Sequence, residues 1–161
     1  MILILHNIRS VHNTGSMFRT ADAAGVEKII LSGYTPTPLD RFGRKRTDFA
    51  KVSLGAEDSV PWEYVETPEA MLKSLQKAGY CIAALEQAPN SVNIFDFQTS
   101  THNPTHKPVA LLVGNEVDGV SPALLAQAEV IVEIPMRGKK ESLNVSVATG
   151  VALFVLTHPR T

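Results

Sequence analysis

Three segments of the chain combine polar side chains with glycine in a pattern suited to holding a ligand. The first segment, Asn7–Val26, contains Asn13, Gly15 and Arg19. Asn13 is a suitable cap for a helix that we predict over Thr14–Ala24, and the free N–H groups at a helix start favour an anion or a polar ligand. Arg19 would then lie one turn into this helix, near a ligand crevice. An ordinary surface arginine beside a helix cap is the alternative interpretation.

The second segment, Leu111–Pro122, begins as an apolar run and ends at a predicted helix start. Gly114 and Gly119 allow the backbone to approach a ligand closely. Glu116 and Asp118 offer carboxylates that could accept hydrogen bonds or help to bind a cation. The spacing is neither that of a P-loop nor that of an EF-hand. A plain strand-to-helix turn is therefore the alternative interpretation.

The third segment, Glu133–Phe154, places Ser142, Leu143 and Asn144 at the start of the last predicted helix. Ser142 lacks the G-x-S-x-G setting of a hydrolase nucleophile, which argues against hydrolytic chemistry. Apolar residues follow at helical spacing: Val147, Ala148, Val151, Ala152 and Val155.

The elements that must position these segments alternate between strand and helix. The strand candidates are mostly continuous apolar runs, which is typical of parallel strands covered on both faces. We therefore predict an α/β fold with a mainly parallel sheet and helices on both faces. The segment Gln87–Lys107 should be the least regular part. The predicted strands are Ile2–His6, Lys28–Ser32, Trp62–Val65, Tyr80–Leu85, Val109–Val113 and Val130–Ile134, and the predicted helices are Thr14–Ala24, a basic stretch near Arg44–Lys51, Pro68–Ala78, Ser121–Ala128 and Leu143–His158.

The composition narrows the class of protein. With 161 residues, 44% hydrophobic and 19% charged, we expect a single domain over residues 1–161. The sequence contains no apolar run of about 18 residues that could span a membrane. Its one cysteine, Cys81, excludes an internal disulfide and suggests a reducing, cytoplasmic setting. Pro104 separates His102 from His106 and prevents a shared helical face, so no metal site is predicted.

The net charge of −1 means that any affinity for nucleic acid must come from local patches. Two basic stretches are candidates for an RNA backbone path, and a solvated charged face is the alternative for both. Phe42 could stack on a base, whereas burial is expected for Phe49. The basic candidates are Arg41, Arg44, Lys45 and Arg46 in the first stretch and Arg137, Lys139 and Lys140 in the second.

Taken together and in this order, the three segments resemble the three sequence motifs of the SpoU (TrmH-like) family of SPOUT RNA methyltransferases. The first motif matches Asn13, Gly15, Arg19-Thr20-Ala21 and Gly25. The second, Gly-x-Glu-x-x-Gly, matches Gly114, Glu116 and Gly119. The third matches Ile134-Pro135-Met136 and Ser142–Ala148. No GxGxxG follows the first strand, so the usual dinucleotide fingerprint is missing.

The resemblance implies a C-terminal deep trefoil knot, a homodimer with active sites at or near the shared interface, and S-adenosylmethionine as cofactor. It also implies two sets of site residues. The catalytic set is Asn13, Arg19, Glu116, Ser142 and Asn144. The cofactor-binding set is Leu85, Glu86, Val113, Gly114, Asn115, Glu116, Gly119, Ile134, Pro135, Met136, Ser142, Leu143 and Asn144.

The function that the resemblance implies is methylation of a ribose 2′-hydroxyl in tRNA or rRNA. Alternatives are a non-catalytic RNA-binding protein with the same fold, or a small-molecule methyltransferase that would not need the basic stretches. Two roles remain open for Arg19, namely general base and bidentate clamp on a neighbouring phosphate. In the second case Glu116, a phosphate oxygen or a water would accept the proton. Whether Arg19 serves its own subunit or the partner also remains open.

Overall fold

The computed structural model describes residues 1–97 and 107–158. Its seven strands form one sheet in the order β3-β2-β1-β6-β4-β7-β5, and every neighbouring pair is parallel. The strands are β1 Ile2–His6, β2 Lys28–Ser32, β3 Trp62–Val65, β4 Cys81–Leu85, β5 Val92–Asn93, β6 Val109–Val113 and β7 Val130–Glu133. The helices are α1 Val11–Ala23, α2 Thr47–Ser53, α3 Ala56–Ser59, α4 Pro68–Lys77, α5 Pro122–Leu125 and α6 Val145–Thr157.

Both faces of the sheet are covered, as the continuous apolar runs predict. Alternate residues of β1 enter different cores: Leu3 and Leu5 pack with residues of α1, α2 and α6, whereas Ile2 and Ile4 pack with Leu72 of α4 and with α5. The side chains of a strand alternate between faces, so a fully buried parallel strand must be apolar throughout. The prediction of an α/β fold with helices on both faces is confirmed.

Several boundaries differ from the sequence predictions. The first helix begins at Val11, because the Ser10 side chain caps it by accepting a hydrogen bond from the Asn13 N–H at 3.1 Å. The prediction that Asn13 is the cap was therefore wrong. Within the segment expected to be least regular, residues 92–93 form β5 and a 3₁₀ turn follows, which buries Ile94 and Phe97.

Some predictions lie outside the described residues. The pair His102 and His106 belongs to residues 98–106, which connect the 3₁₀ turn with β6 and lie outside the described residues. The trefoil knot therefore stays a prediction. Within residues 1–97 and 107–158, every helix is too short or too polar to cross a membrane.

Substitution of Phe49 by alanine tests the core on the α1 side of the sheet. Phe49 is fully buried and meets Phe18 edge to face, with ring centroids 5.2 Å apart. We expect Phe49→Ala to lower the free energy of unfolding by about 3–5 kcal/mol, measured by urea denaturation. Phe42→Ala is the matched control, because that ring is 65% exposed, and it should change stability by less than about 0.5 kcal/mol. Equal losses would contradict the described core.

Candidate active site

A cavity of about 290 Å³ lies beyond the carboxyl ends of β4, β6 and β7, beside the start of α6. Loops that follow neighbouring parallel strands meet at this edge, where α/β proteins bind their ligands. The lining is both apolar and polar. Its residues are Leu85, Glu86, Gln87, Val113, Gly114, Asn115, Glu116, Val117, Gly119, Glu133, Ile134, Met136, Ser142, Leu143, Val145 and Ala148.

The carboxylate of Glu116 joins this cavity to the loop that follows β1. Its oxygens accept hydrogen bonds from the Arg9 N–H at 2.9 and 3.2 Å and from the Ser10 N–H at 3.2 Å. The Asn13 amide nitrogen donates a further bond at 3.0 Å. These donors come from the N-terminal end of α1, where backbone N–H groups lack helical partners. One side chain therefore satisfies a helix start more than a hundred residues away in sequence.

These contacts decide the charge state of Glu116. Burial acts to raise the pKa of Glu116, but the hydrogen bonds from Arg9, Asn13 and Ser10 together hold it below its ordinary value of 4.5. The side chain is therefore an ionised carboxylate at neutral pH, with its oxygens already engaged. Such a group is suited to holding the loop in place, and it is a weak proton acceptor.

A second link connects α1 with α6. The Asn144 amide nitrogen donates to the Asn13 side-chain oxygen at 3.3 Å. The Asn144 side-chain oxygen caps α6 by accepting from the Ser146 N–H at 2.9 Å. Asn13, Glu116 and Asn144 therefore form one hydrogen-bonded chain at the edge of the cavity, and each belongs to a different sequence motif.

Glu86 closes the opposite part of the cavity. Its carboxylate accepts from the Val120 N–H at 3.1 Å and from the Gln87 N–H at 2.9 Å. Gly119 lies against it with φ +68°, and a Cβ there would come within 2.0 Å of a Glu86 oxygen. Glycine is therefore favoured at this position for its backbone conformation, and a Cβ there would also displace the Glu86 carboxylate.

The structure brings most of the expected cofactor residues together. Eleven of the thirteen line the cavity, and Pro135 and Asn144 are the two that do not. In the expected catalytic set, Ser142 also lines the cavity, and Asn13, Glu116 and Asn144 share the hydrogen-bonded chain.

Arg19 lies apart from this group. The helix begins at Val11, so Arg19 is more than two turns into α1 and is exposed. The expectation of a position one turn into the helix was wrong, and Arg19 is not among the residues that line the cavity. Six residues separate Arg19 from Asn13, which corresponds to about 9 Å along the axis and about 120° around it. Among the described residues, the Arg19 guanidinium makes no hydrogen bond or ion pair.

The two basic stretches differ in their pairing. In the first, Arg44, Lys45 and Arg46 form ion pairs with Asp40, Asp58 and Asp48 at 2.8, 2.6 and 2.7 Å. Three of the four basic candidates in this stretch are therefore paired with carboxylates. In the second stretch, Arg137, Lys139 and Lys140 are exposed, and the described part of the chain offers them no ion-pair partner.

Asn7 and Tyr34, two residues near the cavity, were missed in the sequence analysis. The Asn115 amide nitrogen donates to the Asn7 carbonyl oxygen at 3.0 Å and to the Tyr34 hydroxyl. Tyr34 also donates its N–H to the Asn7 side-chain oxygen at 3.2 Å. Asn7 has a positive φ of 57°, a conformation in which asparagine is enriched. The sequence signal for Asn7 was an asparagine directly after β1. No sequence signal pointed to Tyr34.

The fold and the cavity define an α/β protein that binds its ligand beyond the carboxyl edge of a parallel sheet, without the dinucleotide fingerprint. The model of the family described as "SpoU rRNA Methylase family" matches residues 1–154. The chain belongs to this family.

Named relatives agree with this assignment. The chain is 35% identical to the "23S rRNA (guanosine-2'-O-)-methyltransferase RlmB" of Ralstonia nicotianae, over 99% of this chain and 59% of the relative. It is 34% identical to the "tRNA (guanosine(18)-2'-O)-methyltransferase" of Aquifex aeolicus, over 99% of this chain and 70% of that protein. The crystal structure of an AdoMet-bound rRNA methyltransferase from Sinorhizobium meliloti has a TM-score of 0.82 and 32% identity, and the match covers 96% of this chain and 54% of that one. The chain thus spans a little over half the length of the rRNA enzymes that it matches.

The contacts of Glu116 predict how stability depends on pH. Because its pKa is lowered in the folded state, the ionised carboxylate contributes stability at neutral pH, and this contribution is lost as the pH falls below the ordinary value. We expect Glu116→Gln to cost roughly 1–3 kcal/mol at pH 7. Urea denaturation of the variant should show a smaller decline between pH 6 and pH 3 than the wild type.

Asp118→Asn is the matched control, because that carboxyl is exposed and lies two residues from Glu116. It should leave the pH dependence unchanged. If Glu116→Gln followed the wild-type decline in parallel, the hydrogen bonds to its carboxylate would not be those described.

Proposed function

We propose that this chain is an S-adenosylmethionine-dependent methyltransferase that modifies a ribose 2′-hydroxyl of tRNA or rRNA. The observation that carries the proposal is the cavity lined by the second and third motif segments, with Glu116 of its lining hydrogen-bonded to the first segment. The names of the relatives and the AdoMet-bound neighbour support the same chemistry. We further propose that the described residues, which share one sheet, form a single domain. A tRNA or rRNA substrate implies a cytoplasmic location.

The residues of the cavity fit S-adenosylmethionine. Its volume of about 290 Å³ is close to the lower end of the range for small-molecule sites. Apolar side chains such as Leu85, Ile134 and Leu143 suit an adenine ring. Glu86 and Glu133 supply negative charge for a ligand that carries a positive sulfonium and an ammonium group. We propose that Pro135 and Asn144, which do not line the cavity, shape the loops that do.

The mechanism assigns positioning to this chain's own residues. S-adenosylmethionine, when bound, would supply a methyl group attached to a positively charged sulfur. The ribose oxygen would bond to this methyl carbon as the bond from carbon to sulfur breaks. Glu116 holds the start of α1 against the cavity, and Asn13 and Asn144 tie α1 to α6, so the substrate surface is fixed in relation to the donor. Such alignment contributes up to about 7–11 kcal/mol in well-oriented reactions. Because Glu116 is fully engaged, a phosphate oxygen or a water is the better proton acceptor.

We assign Arg19 to binding an RNA phosphate. Its guanidinium is exposed and presents a fork of donors that matches phosphate geometry. Arg19 is not among the residues that line the cavity of its own subunit, and it lies about 9 Å along and about 120° around α1 from Asn13. We therefore propose that Arg19 acts at the cavity of a partner subunit in a homodimer.

The outer face of α6 supports a homodimer. Val147 is 52% exposed and Phe154 is 46% exposed, although α6 consists almost entirely of apolar and small residues. A helix that is apolar on all sides is normally buried. The buried face of α6 is formed by Thr149, Ala152, Leu153 and Leu156. Helix α1 packs against α6, so a second copy on this surface would also lie near Arg19.

The reaction itself is tested with labelled cofactor. Total RNA from cells lacking this protein should accept a radioactive methyl group from S-adenosylmethionine. The modified position should resist alkaline cleavage, because methylation removes the 2′-hydroxyl that attacks the phosphate. Cofactor binding without transfer to RNA would instead indicate the non-catalytic RNA-binding protein, and transfer that needs no RNA would indicate a small-molecule enzyme.

Mixing two inactive variants tests whether Arg19 serves the partner subunit. Arg19→Ala and Asn144→Asp should each lose about 100-fold or more in methyl transfer, and aspartate keeps the helix cap while removing the amide donor. When two such symmetric dimers exchange subunits freely, half of the dimers are mixed and one of their two sites is intact, which should restore about a quarter of the wild-type activity.

Phe154→Glu provides the control for this exchange, because a charge on the outer face of α6 should separate the subunits. Adding it to both variants should abolish the recovery. If mixed dimers form, as shown by two affinity tags, but stay inactive, Arg19 acts within its own subunit.

The different pairing of the two basic stretches predicts different contributions to RNA affinity. We expect Lys139→Ala combined with Lys140→Ala to weaken RNA binding and to reduce the slope of log affinity against log salt by about 1–2. Lys45→Ala is the matched control, because Lys45 is already paired with Asp58, and it should leave the slope nearly unchanged. Filter binding at several salt concentrations measures both. A larger effect of Lys45→Ala would place the RNA path on the first stretch.

A further inference from the structure

Tyr34 is exposed, yet hydrogen bonds restrain both its backbone and its hydroxyl group. The residue is 56% exposed. Its backbone N–H donates to the Asn7 side-chain oxygen at 3.2 Å, and its hydroxyl oxygen accepts a hydrogen bond from the amide of Asn115. A surface tyrosine without a ligand gains little from such restraint, because fixing a side chain costs conformational entropy. The arrangement is typical of a ring that is positioned in advance for contact.

The turn that carries Tyr34 is constrained in the same way. Gly33 has φ +64°, and a Cβ at this position would lie 1.8 Å from the Asn7 side-chain oxygen. Only glycine fits the turn in this form. Tyr64 adds a further restraint, because its hydroxyl donates to the Gly33 carbonyl oxygen at 2.9 Å. The direction of the Tyr34 ring is therefore set by the turn as well as by Asn115.

Asn115 connects the ring with the candidate active site. It lines the cavity and directly precedes Glu116. It is only 8% exposed, and its side-chain oxygen accepts from the Val117 and Asp118 N–H groups at 2.7 and 2.9 Å. Its amide also reaches the Asn7 carbonyl oxygen at 3.0 Å. The hydroxyl end of Tyr34 is therefore bonded to a residue of the cavity wall, and the rest of this exposed residue is one hydrogen bond away from that wall.

We propose that the Tyr34 ring is the surface on which the base of the methylated nucleotide stacks. This inference rests on the proposed function. In a nucleotide the base is attached to the ribose carbon next to the one that carries the 2′-hydroxyl. A ribose held at the cavity therefore brings its base to the rim. Aromatic rings bind unstacked bases in this manner whatever the base, since every base has a π face.

The experiment combines protein variants with a base deletion. The probe is a synthetic RNA fragment around the position mapped by the methylation assay, prepared with the natural base and with an abasic ribose at that position. Tyr34→Leu should reduce kcat/KM on the natural fragment about 5- to 100-fold, the range expected for one stacked base. Removal of the base should reduce the wild-type value to a similar extent. Tyr34→Leu should then have little further effect on the abasic fragment.

Two comparisons separate stacking from a structural role. Tyr34→Phe keeps the ring and loses the contact with Asn115, so it should retain most of the activity. Calorimetry should show unchanged S-adenosylmethionine binding by both variants. Phe42→Leu replaces another exposed aromatic residue, and whatever its effect, that effect should be the same on both fragments.

Independent losses, in which Tyr34→Leu reduces activity equally on both fragments, would overturn the proposal. Equal loss in Tyr34→Phe and Tyr34→Leu together with weakened cofactor binding would also overturn it, because Tyr34 would then act through Asn115 alone. Failure of the proposed function is a separate result, since wild-type protein would then methylate neither fragment.

Discussion

The cluster of hydrogen bonds on the Glu116 carboxylate is the interaction on which the rest of the site depends. It accepts from the backbone of Arg9 and Ser10 and from the Asn13 side chain, so it joins the loop after β6 to the loop after β1. Each loop buries one apolar side chain, Ile8 in the first and Val120 in the second, and most of its other residues are polar or glycine. A partly buried carboxylate is stable only with compensating donors, and a helix start needs acceptors. Each therefore satisfies a requirement of the other, and the wall of the cavity follows from this pairing.

The position of this pairing follows from the order of strands. Strand β1 pairs with β2 on one side and with β6 on the other, so the chain leaves the centre of the sheet in opposite directions. Ligand crevices form at such reversals, because the loops that follow adjacent strands diverge. The cavity lies beyond β6, β4 and β7, and the loop after β1 reaches it through hydrogen bonds to Glu116 and Asn115. The loop after β1 also contacts the turn at Gly33 and Tyr34. Hydrogen bonds with Asn7 and Asn115 hold Tyr34 in place. Asn115 therefore fixes the position of Tyr34, and its neighbour Glu116 fixes the start of α1.

Burial explains what the sequence could and could not predict. The strands were predicted closely, because runs such as Val109–Val113 must be apolar when both faces of a parallel strand are covered. Helix starts were less predictable, since Ser10 and Asn13 are both good caps and only contacts with Glu116 distinguish them. The charges of residues 39–51, which include the first basic stretch, predicted a basic patch. Asp58, which pairs with Lys45, lies outside these residues. The position of Tyr34 depends on Asn115, which is 81 residues away, and no local pattern encodes such a contact.

The separation of Arg19 from the hydrogen-bonded chain has a consequence for the assembly as a whole. Under the proposed function the cavity of a single subunit holds the methyl donor, whereas its exposed Arg19 lies on a different side of α1 from Asn13. A two-fold dimer resolves this, because an isologous interface brings each surface to the partner's equivalent surface. On the proposed dimer, the apolar outer face of α6 supplies the contact area, and Arg19 of one subunit faces the cavity of the other. Association would then be a condition for catalysis as well as for stability, since the donor and the phosphate clamp would meet only across the interface.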